Sequence, residues 1–160
     1  MNKRGSSQYF LKPTAFERVV NKTVALLARL GIGPRYLHLL RVKGRRTGKV
    51  YSTPVNLLET NGRYYLVGGR GHTAWSKNAS AVGEVTLVRG TNSRKYRAIP
   101  MSDDDKPKIL KAYLEQYRHT VQKFFSVPVV SPLEAFRPIA DRHPVFELFP
   151  MGVTSCHSVA

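Results

Sequence analysis

Between Leu37 and Asn78, apolar and polar residues alternate in three short runs, and the breaks between them fall on residues that tight turns favour. No other feature of the chain restricts its folding as much. The first run is Leu37-His38-Leu39-Leu40-Arg41-Val42. The second, Tyr51-Ser52-Thr53-Pro54-Val55-Asn56-Leu57-Leu58, follows the basic turn Gly44-Arg45-Arg46-Thr47-Gly48-Lys49. Asn61-Gly62, a dipeptide suited to a two-residue hairpin, leads into the third run, Arg63-Tyr64-Tyr65-Leu66-Val67. Side chains on a strand alternate between its faces, so each run predicts a strand. Behind the third come Gly68-Gly69-Arg70-Gly71 and the segment Trp75-Ser76-Lys77-Asn78. The pattern reads as half a barrel bearing two turns rich in glycine and arginine, a shape suited to gripping an anion.

The rest of the chain supplies cover. Residues 1–13 read as a loose basic lead-in. A helix is expected over 14–30, with Thr14 as N-cap and Glu17 completing a capping box. Its inward face is predicted to be Phe16, Val19, Val20, Thr23, Leu26, Leu27 and Leu30, and Gly31 with Gly33-Pro34 ends it. A short helix follows Trp75 and runs to Gly83. Glu84–Arg89 and Ser93–Ile99 form a hairpin about Gly90-Thr91-Asn92. Ser102-Asp103-Asp104-Asp105 begins a helix carrying Ile109, Leu110, Tyr113, Leu114, Tyr117 and Val121 inward. Ser131 is expected to cap a brief helix over 133–140, and the last strand spans 143–149, with Pro144 at its start. The tail from Met151 to Ala160 reads as frayed. Some six strands without strand–helix alternation predict an α+β, mainly β, single domain: a mostly antiparallel sheet closed toward a barrel, with helices on its faces and end.

Composition narrows the function. Hydrophobic residues at 42% are enough for a packed core and exclude disorder. The sole cysteine, Cys156, excludes an internal disulfide and argues against a cysteine metal site. No apolar run approaches the ~20 residues of a membrane span, and no secretory signal follows the basic N-terminus, so the expected compartment is the cytoplasm. The charge is exceptional: 26 Lys and Arg against 10 Asp and Glu leave +16. A field of that sign attracts nucleic acid, acidic lipid or a multiply charged small ligand. Nucleic acid is not expected, because no reading motif accompanies the charge.

Spacing then separates chemistry from solvation. Arg41, Lys43, Arg45, Arg46 and Lys49 crowd one hairpin, an arrangement that solvent or an anion must answer. Arginine forks, the Thr47 hydroxyl and glycine-freed N–H groups suit a phosphate. The turn is not a Walker loop, for Gly44 and Gly48 are too close and no Ser or Thr follows Lys49. Gly68 and Gly69 allow close backbone approach, and Arg70 adds a second anion contact. No nucleophile–histidine pair, metal spacing or carboxylate dyad emerges, so any chemistry belongs to a bound cofactor that the protein positions.

Taken together, Gly44-Arg45-Arg46-Thr47-Gly48, Pro54-Val55, Asn61-Gly62, Gly68-Gly69-Arg70-Gly71, Ala74-Trp75-Ser76-Lys77-Asn78 and Val85-Thr86-Leu87 resemble the deazaflavin-dependent nitroreductase and quinone reductase family. The resemblance covers roughly residues 37–100. It implies a split β-barrel of the flavin-reductase and pyridoxamine-oxidase kind that binds coenzyme F-420, a deazaflavin with a phosphodiester and an oligoglutamate tail. It implies hydride transfer to a hydrophobic electron-poor acceptor: a quinone, a nitroaromatic or an activated alkene. The cofactor-binding set it implies is Arg45, Arg46, Thr47, Gly48, Lys49, Pro54, Gly68, Gly69, Arg70, Trp75 and Asn78. Arg46 would meet the phosphate, Arg70 the tail or ring, and Trp75 with Asn78 the wall beside the deazaflavin. For the acceptor pocket Tyr113, Tyr117, Phe124 and Phe125 are nearest in chain position, with Tyr113 and Tyr117 the candidates, and no metal is implied. Alternatives stay open: FMN in the same barrel, or a lipid-binding protein without turnover that meets an anionic membrane through residues 1–30. A homodimer is also open.

Overall fold

The hairpin chemistry of the sequence sets the sheet. In the computed structural model, which describes residues 9–152, β1 (Leu37–Lys43) and β2 (Val50–Asn56) pair antiparallel with Leu39 opposite Pro54 and Lys43 opposite Val50. Pro54 has no N–H to give, and β2 accordingly lies at a sheet edge. Asn61 (φ 53°) and Gly62 (φ 71°) both take the left-handed conformation that a tight hairpin requires, joining β3 (Leu58–Thr60) to β4 (Arg63–Val67). β5 (Glu84–Arg89), β6 (Asn92–Pro100) and β7 (Val145–Pro150) complete an antiparallel sheet in the order β2-β1-β5-β6-β7-β4-β3.

Among the described residues the sheet has seven strands rather than the expected six, and the reason shows how it closes. The run 51–58 is not one strand. It bends at Leu57, which leaves β2 on one edge of the sheet and β3 on the other. The Leu57 N–H donates to the Tyr36 carbonyl at 2.8 Å, and the Tyr117 hydroxyl donates to the Leu57 carbonyl at 2.6 Å. The two edges are thus joined through one residue, and the sheet curls into a split barrel. Its interior is filled by Leu40, Val42, Leu66, Val85, Leu87, Tyr96, Phe146 and Leu148.

α3 (Lys106–Val121) seals the outer side of β4, burying Leu110, Tyr113, Leu114, Tyr117 and Val121 against Tyr65, Val67 and Phe136. All six positions predicted to face inward are buried. No side chain caps this helix, since the Ser102 hydroxyl bonds to Asp105 instead. Nor does Ser131 cap the next element. Leu133–Arg142 is a 3-10 run entered from Pro132, with Pro138 inside it removing an N–H that an α-helix would use.

α1 (Ala15–Arg29) has the predicted Thr14–Glu17 capping box but not the predicted inner face. Val19, Val20, Leu26, Leu27 and Leu30 are exposed, while Asn21, Val24, Ala25 and Ala28 turn inward. The helix end lies close on the β5–β6 turn, where Gly31 and Gly90 nearly touch and Gly90 N–H reaches the Ala28 carbonyl at 3.4 Å. Only small residues fit that approach, so the bulky stripe is left outside. Arg89 fastens the segment after α1, donating to the carbonyls of Gly31, Gly33, Pro34 and Leu37 at 2.7–3.3 Å. The first eight residues, the Phe16 side chain and Cys156 lie outside the described part. Tyr9–Leu11, expected to be loose, instead clasp the Arg70–His72 backbone through His72 N–H to Tyr9 carbonyl and Leu11 N–H to Arg70 carbonyl bonds, both 2.8 Å. Met151 is likewise tied, by its N–H to the Lys95 carbonyl at 3.0 Å.

Candidate functional site

The β1–β2 turn is folded by its own backbone. Gly44 N–H donates to the Lys49 carbonyl at 2.7 Å and Gly48 N–H to the Gly44 carbonyl at 2.9 Å, with Gly48 in the left-handed region at φ 69°. The Thr47 hydroxyl braces it, accepting from Lys49 N–H at 3.3 Å and lying 3.4 Å from the Tyr51 hydroxyl. One group outside the hairpin orients the whole turn. Asn78, buried on α2 (Ala74–Val82), accepts the Arg45 backbone N–H at 3.2 Å and Arg45 Nη1 at 2.8 Å through a single Oδ1. Asn78 is therefore a clamp on the turn. Arg45 spends Nη1 on this contact with a neutral amide, whereas among the described residues Arg46 makes no side-chain hydrogen bond, and neither has an ion-pair partner there.

The turn after β4 is held from every side. Gly68 N–H donates to the Pro144 carbonyl at 2.8 Å, and a Cβ on Gly68 would stand 2.6 Å from Pro144 Cγ. Gly71 (φ 91°) lies against the Tyr9 carbonyl, which a Cβ there would overlap. Two of these glycines thus answer to packing within the protein. Beneath them His143, 1% exposed, stacks on Phe125 at 4.3 Å and places Nδ1 3.2 Å from the Gly68 carbonyl. Burial pushes its pKa down to about 4, so the ring is neutral at physiological pH, and Nδ1–H is the donor in that contact.

Arg70 is also engaged. Its guanidinium lies 3.2 Å from Glu17 Oε1 and 4.4 Å over the Phe124 ring. Lys123 Nζ approaches the same Oε1 at 3.2 Å. The Thr14 N–H, then Lys123 and Arg70, hold the Glu17 carboxyl down at about 2.

Both turns open on one cleft of about 980 Å³. Arg45, Arg46, Thr47, Pro54, Gly68, Gly69, Arg70, Trp75, Asn78 and Tyr113 all line it, so the structure joins ten of the residues singled out from sequence. Gly48, Lys49 and Tyr117 do not. Gly48 and Lys49 shape the far side of the turn. Tyr117 is spent on the Leu57 carbonyl, and burial raises its hydroxyl to about 12. Tyr113 is buried at the cleft beside Asn56, and burial raises its hydroxyl well above the ordinary value, so it remains a hydrogen-bond donor. Trp75 packs on Phe146 at 5.8 Å between centroids and gives the cleft an aromatic wall.

Sequence reasoning did not place Glu17, Val20, Asn21, Val24 or Thr73 at the site. Glu17 looked like a helix cap only. Asn21 and Val24 of α1 line the cleft because the helix is rotated from its predicted orientation, and Val20, at the margin of the predicted face, lines it beside them. Phe124, named from sequence among the acceptor-pocket aromatics, lines the cleft and carries the two cations Arg70 and Lys123. Thr73, the N-cap of α2, also lines the cleft, yet its buried Oγ1 has no hydrogen-bond partner among the described residues. A threonine just before a helix is the one signal that pointed there.

A family model described as F420H(2)-dependent quinone reductase matches residues 14–130. Among solved structures, an F420-H2 dependent reductase aligns with a TM-score of 0.50 at 22% identity, covering 72% of this chain and 95% of that one. A domain-swapped dimer aligns at 0.52 and 20% identity, covering 85% and 100%. HutZ, a heme storage protein from Vibrio cholerae, aligns at 0.54 and 10% identity, covering 88% and 93%. At these identities the structures establish the split-barrel fold alone. No curated protein matches the sequence significantly.

Proposed function

The chain belongs to the F420H(2)-dependent quinone reductase family, and from that premise we propose how its cleft serves an F420-dependent reductase. The observation that carries the reading is the pairing of an unspent cation with an unspent hydroxyl. Among the described residues Arg46 has no partner and Thr73 Oγ1 is buried without one, and both line the same cleft. A buried hydroxyl left unpaired costs on the order of 1–3 kcal/mol, which an anionic ligand oxygen at the N-terminus of α2 would recover. A phosphodiester fits this chemistry. The cleft volume of about 980 Å³ suits a large cofactor.

The bound deazaflavin supplies the hydride. The chain's own residues bind and orient. Arg46 meets the phosphate with its fork, Arg45 with Asn78 fixes the turn that presents it, and Thr73 offers its hydroxyl. Pro54, Val55 and Trp75 form a flat apolar wall that keeps water from the ring. The Tyr113 hydroxyl, protonated throughout the physiological range, donates toward a carbonyl or nitro oxygen of the acceptor. The acceptor is a hydrophobic, electron-poor molecule: a quinone, a nitroaromatic or an activated alkene. Calorimetric or fluorescence titration with the purified coenzyme tests the reading, with FMN as competitor. Absence of binding at tens of micromolar removes the F-420 site.

A specific feature favours membrane contact as well. The outer face of α1 exposes Val19, Leu26 and Leu30 beside Arg18, Lys22 and Arg29, and the helix's opposite side lines the cleft. Basic amphipathic helices of this kind lie on anionic bilayers, which would let a lipid-soluble acceptor enter from the membrane. Among the described residues no helix is long and apolar enough to cross one. Co-sedimentation with anionic vesicles, lost on replacing Val19, Leu26 and Leu30 by Ser, is the expected result. Retention of binding by that variant moves the contact elsewhere. The same face would be covered in a homodimer, which sedimentation equilibrium distinguishes.

A further inference from the structure

The cleft holds four cations, Arg45, Arg46, Arg70 and Lys123, and among the described residues a single acid, Glu17. That acid occupies a particular place. Its Oε1 sits 3.2 Å from both Arg70 Nη2 and Lys123 Nζ, while its Oε2 is committed to the Thr14 N–H at 2.8 Å. Phe124 sets the two cations on one ring, with Arg70 at 4.4 Å and Lys123 at 5.0 Å from its centroid. The pair is therefore already shaped around one carboxylate oxygen, and one carboxylate leaves its two positive charges under-compensated. We propose that Arg70, Lys123 and Phe124 form a seat for a carboxylate of the ligand's acidic tail, and that Glu17 is an internal occupant which the ligand displaces.

The proposal rests on the cofactor reading above and adds to it the site of the oligocarboxylate end. Its physical content is competition. A ligand that must first expel Glu17 binds more weakly in proportion to the fraction of molecules in which the seat is free. Removing the negative charge of Glu17 should thus tighten binding of ligands that carry a tail and leave those without one alone. Glu17→Gln is the suitable change, because glutamine also serves in a capping box and keeps the first turn of α1 intact. Lys123→Met is its converse, since Lys123 is largely exposed and its loss leaves the packing unchanged.

The experiment is calorimetric titration of wild type, Glu17→Gln and Lys123→Met with three probes: F-420 bearing its glutamate tail, the deazaflavin lacking phosphate and tail, and free oligoglutamate. For the tailed coenzyme, Glu17→Gln should bind roughly three- to tenfold tighter and Lys123→Met weaker by a similar factor, as for partly exposed charge pairs. Affinity for the tail-less deazaflavin should be the same in all three proteins. Equal changes for tailed and tail-less forms, or weaker tailed binding by Glu17→Gln, overturn the seat while leaving the cofactor reading standing. Oligoglutamate binding that Glu17→Gln strengthens, with no deazaflavin bound by any variant, keeps the seat and removes the cofactor. Binding of none of the probes removes both.

Discussion

The two glycine–arginine turns look alike in sequence and are built in opposite ways. The turn at 44–48 is an exposed hairpin tip held, among the described residues, by one foreign side chain, Asn78, and it presents Arg46 without a partner among them. The turn at 68–71 is wedged among Tyr9, Pro144 and His143, and its arginine is already paired with Glu17. Gly48 serves tip geometry in the first, whereas Gly68 and Gly71 serve close packing against distant parts of the chain in the second. A basic turn thus shows where an anion can be met; whether its charge is available depends on what the fold brings against it.

Substituting the glycines gives the largest contrast. Gly71→Ala forces a side chain into the left-handed region and onto the Tyr9 carbonyl, and should cost roughly 2–4 kcal/mol in denaturant unfolding. Gly48→Ala, with open space around it, should cost only the backbone term of about 1 kcal/mol. Equal losses would show that the second turn is not the rigid one. Acid titration of stability examines the same rigidity. His143 carries its proton less readily when folded, with a pKa of about 4 against 6.5, so the unfolded chain binds more protons between those values. Its contribution is present in full above pH 6.5 and is lost as the pH falls toward 4, to the extent of roughly 3 kcal/mol. Glu17, held at about 2, stays charged through that window, and its own contribution fades only as the pH falls from 4.5 through about 2. Burial lowers His38 as well, so the measurement is the difference in slope between wild type and His143→Gln, which should be flatter.

For the exposed turn, the effects should appear in binding. Arg46→Ala should weaken coenzyme affinity by roughly 1.5–3 kcal/mol with no change in unfolding midpoint. An unchanged affinity places the phosphate elsewhere in the cleft. Asn78→Ala should do both in smaller measure, costing on the order of 1–2 kcal/mol of stability by leaving the Arg45 N–H unpaired and weakening binding by loosening the turn. If binding survives Asn78→Ala unchanged while stability falls, the clamp is structural only.

The two long helices show how far sequence reading reaches. Periodicity identified an apolar stripe on each. On α3 that stripe is the buried face, because β4 and the Leu133–Arg142 run offer large side chains such as Tyr65 and Phe136 to pack against. On α1 the stripe faces outward, because contact with the sheet runs through Ala28 and the Gly31–Gly90 approach, where bulk does not fit. Hydrophobic spacing defines faces, and the partner's shape selects among them. In the same way the alternation over 51–58 specifies extended chain but not its division at Leu57, which only barrel closure produces.

The sequence by itself determined the extended runs, the hairpin turns and the Thr14 cap, since each depends on local stereochemistry or on alternation between faces; the residues of the cleft it named through family resemblance. Tertiary structure alone decided which arginine is free, where Glu17's second oxygen goes, that Asn78 clamps a turn and that Tyr117 pins the barrel seam. Those outcomes depend on groups distant in the chain coming within hydrogen-bond reach, a condition that no local pattern encodes.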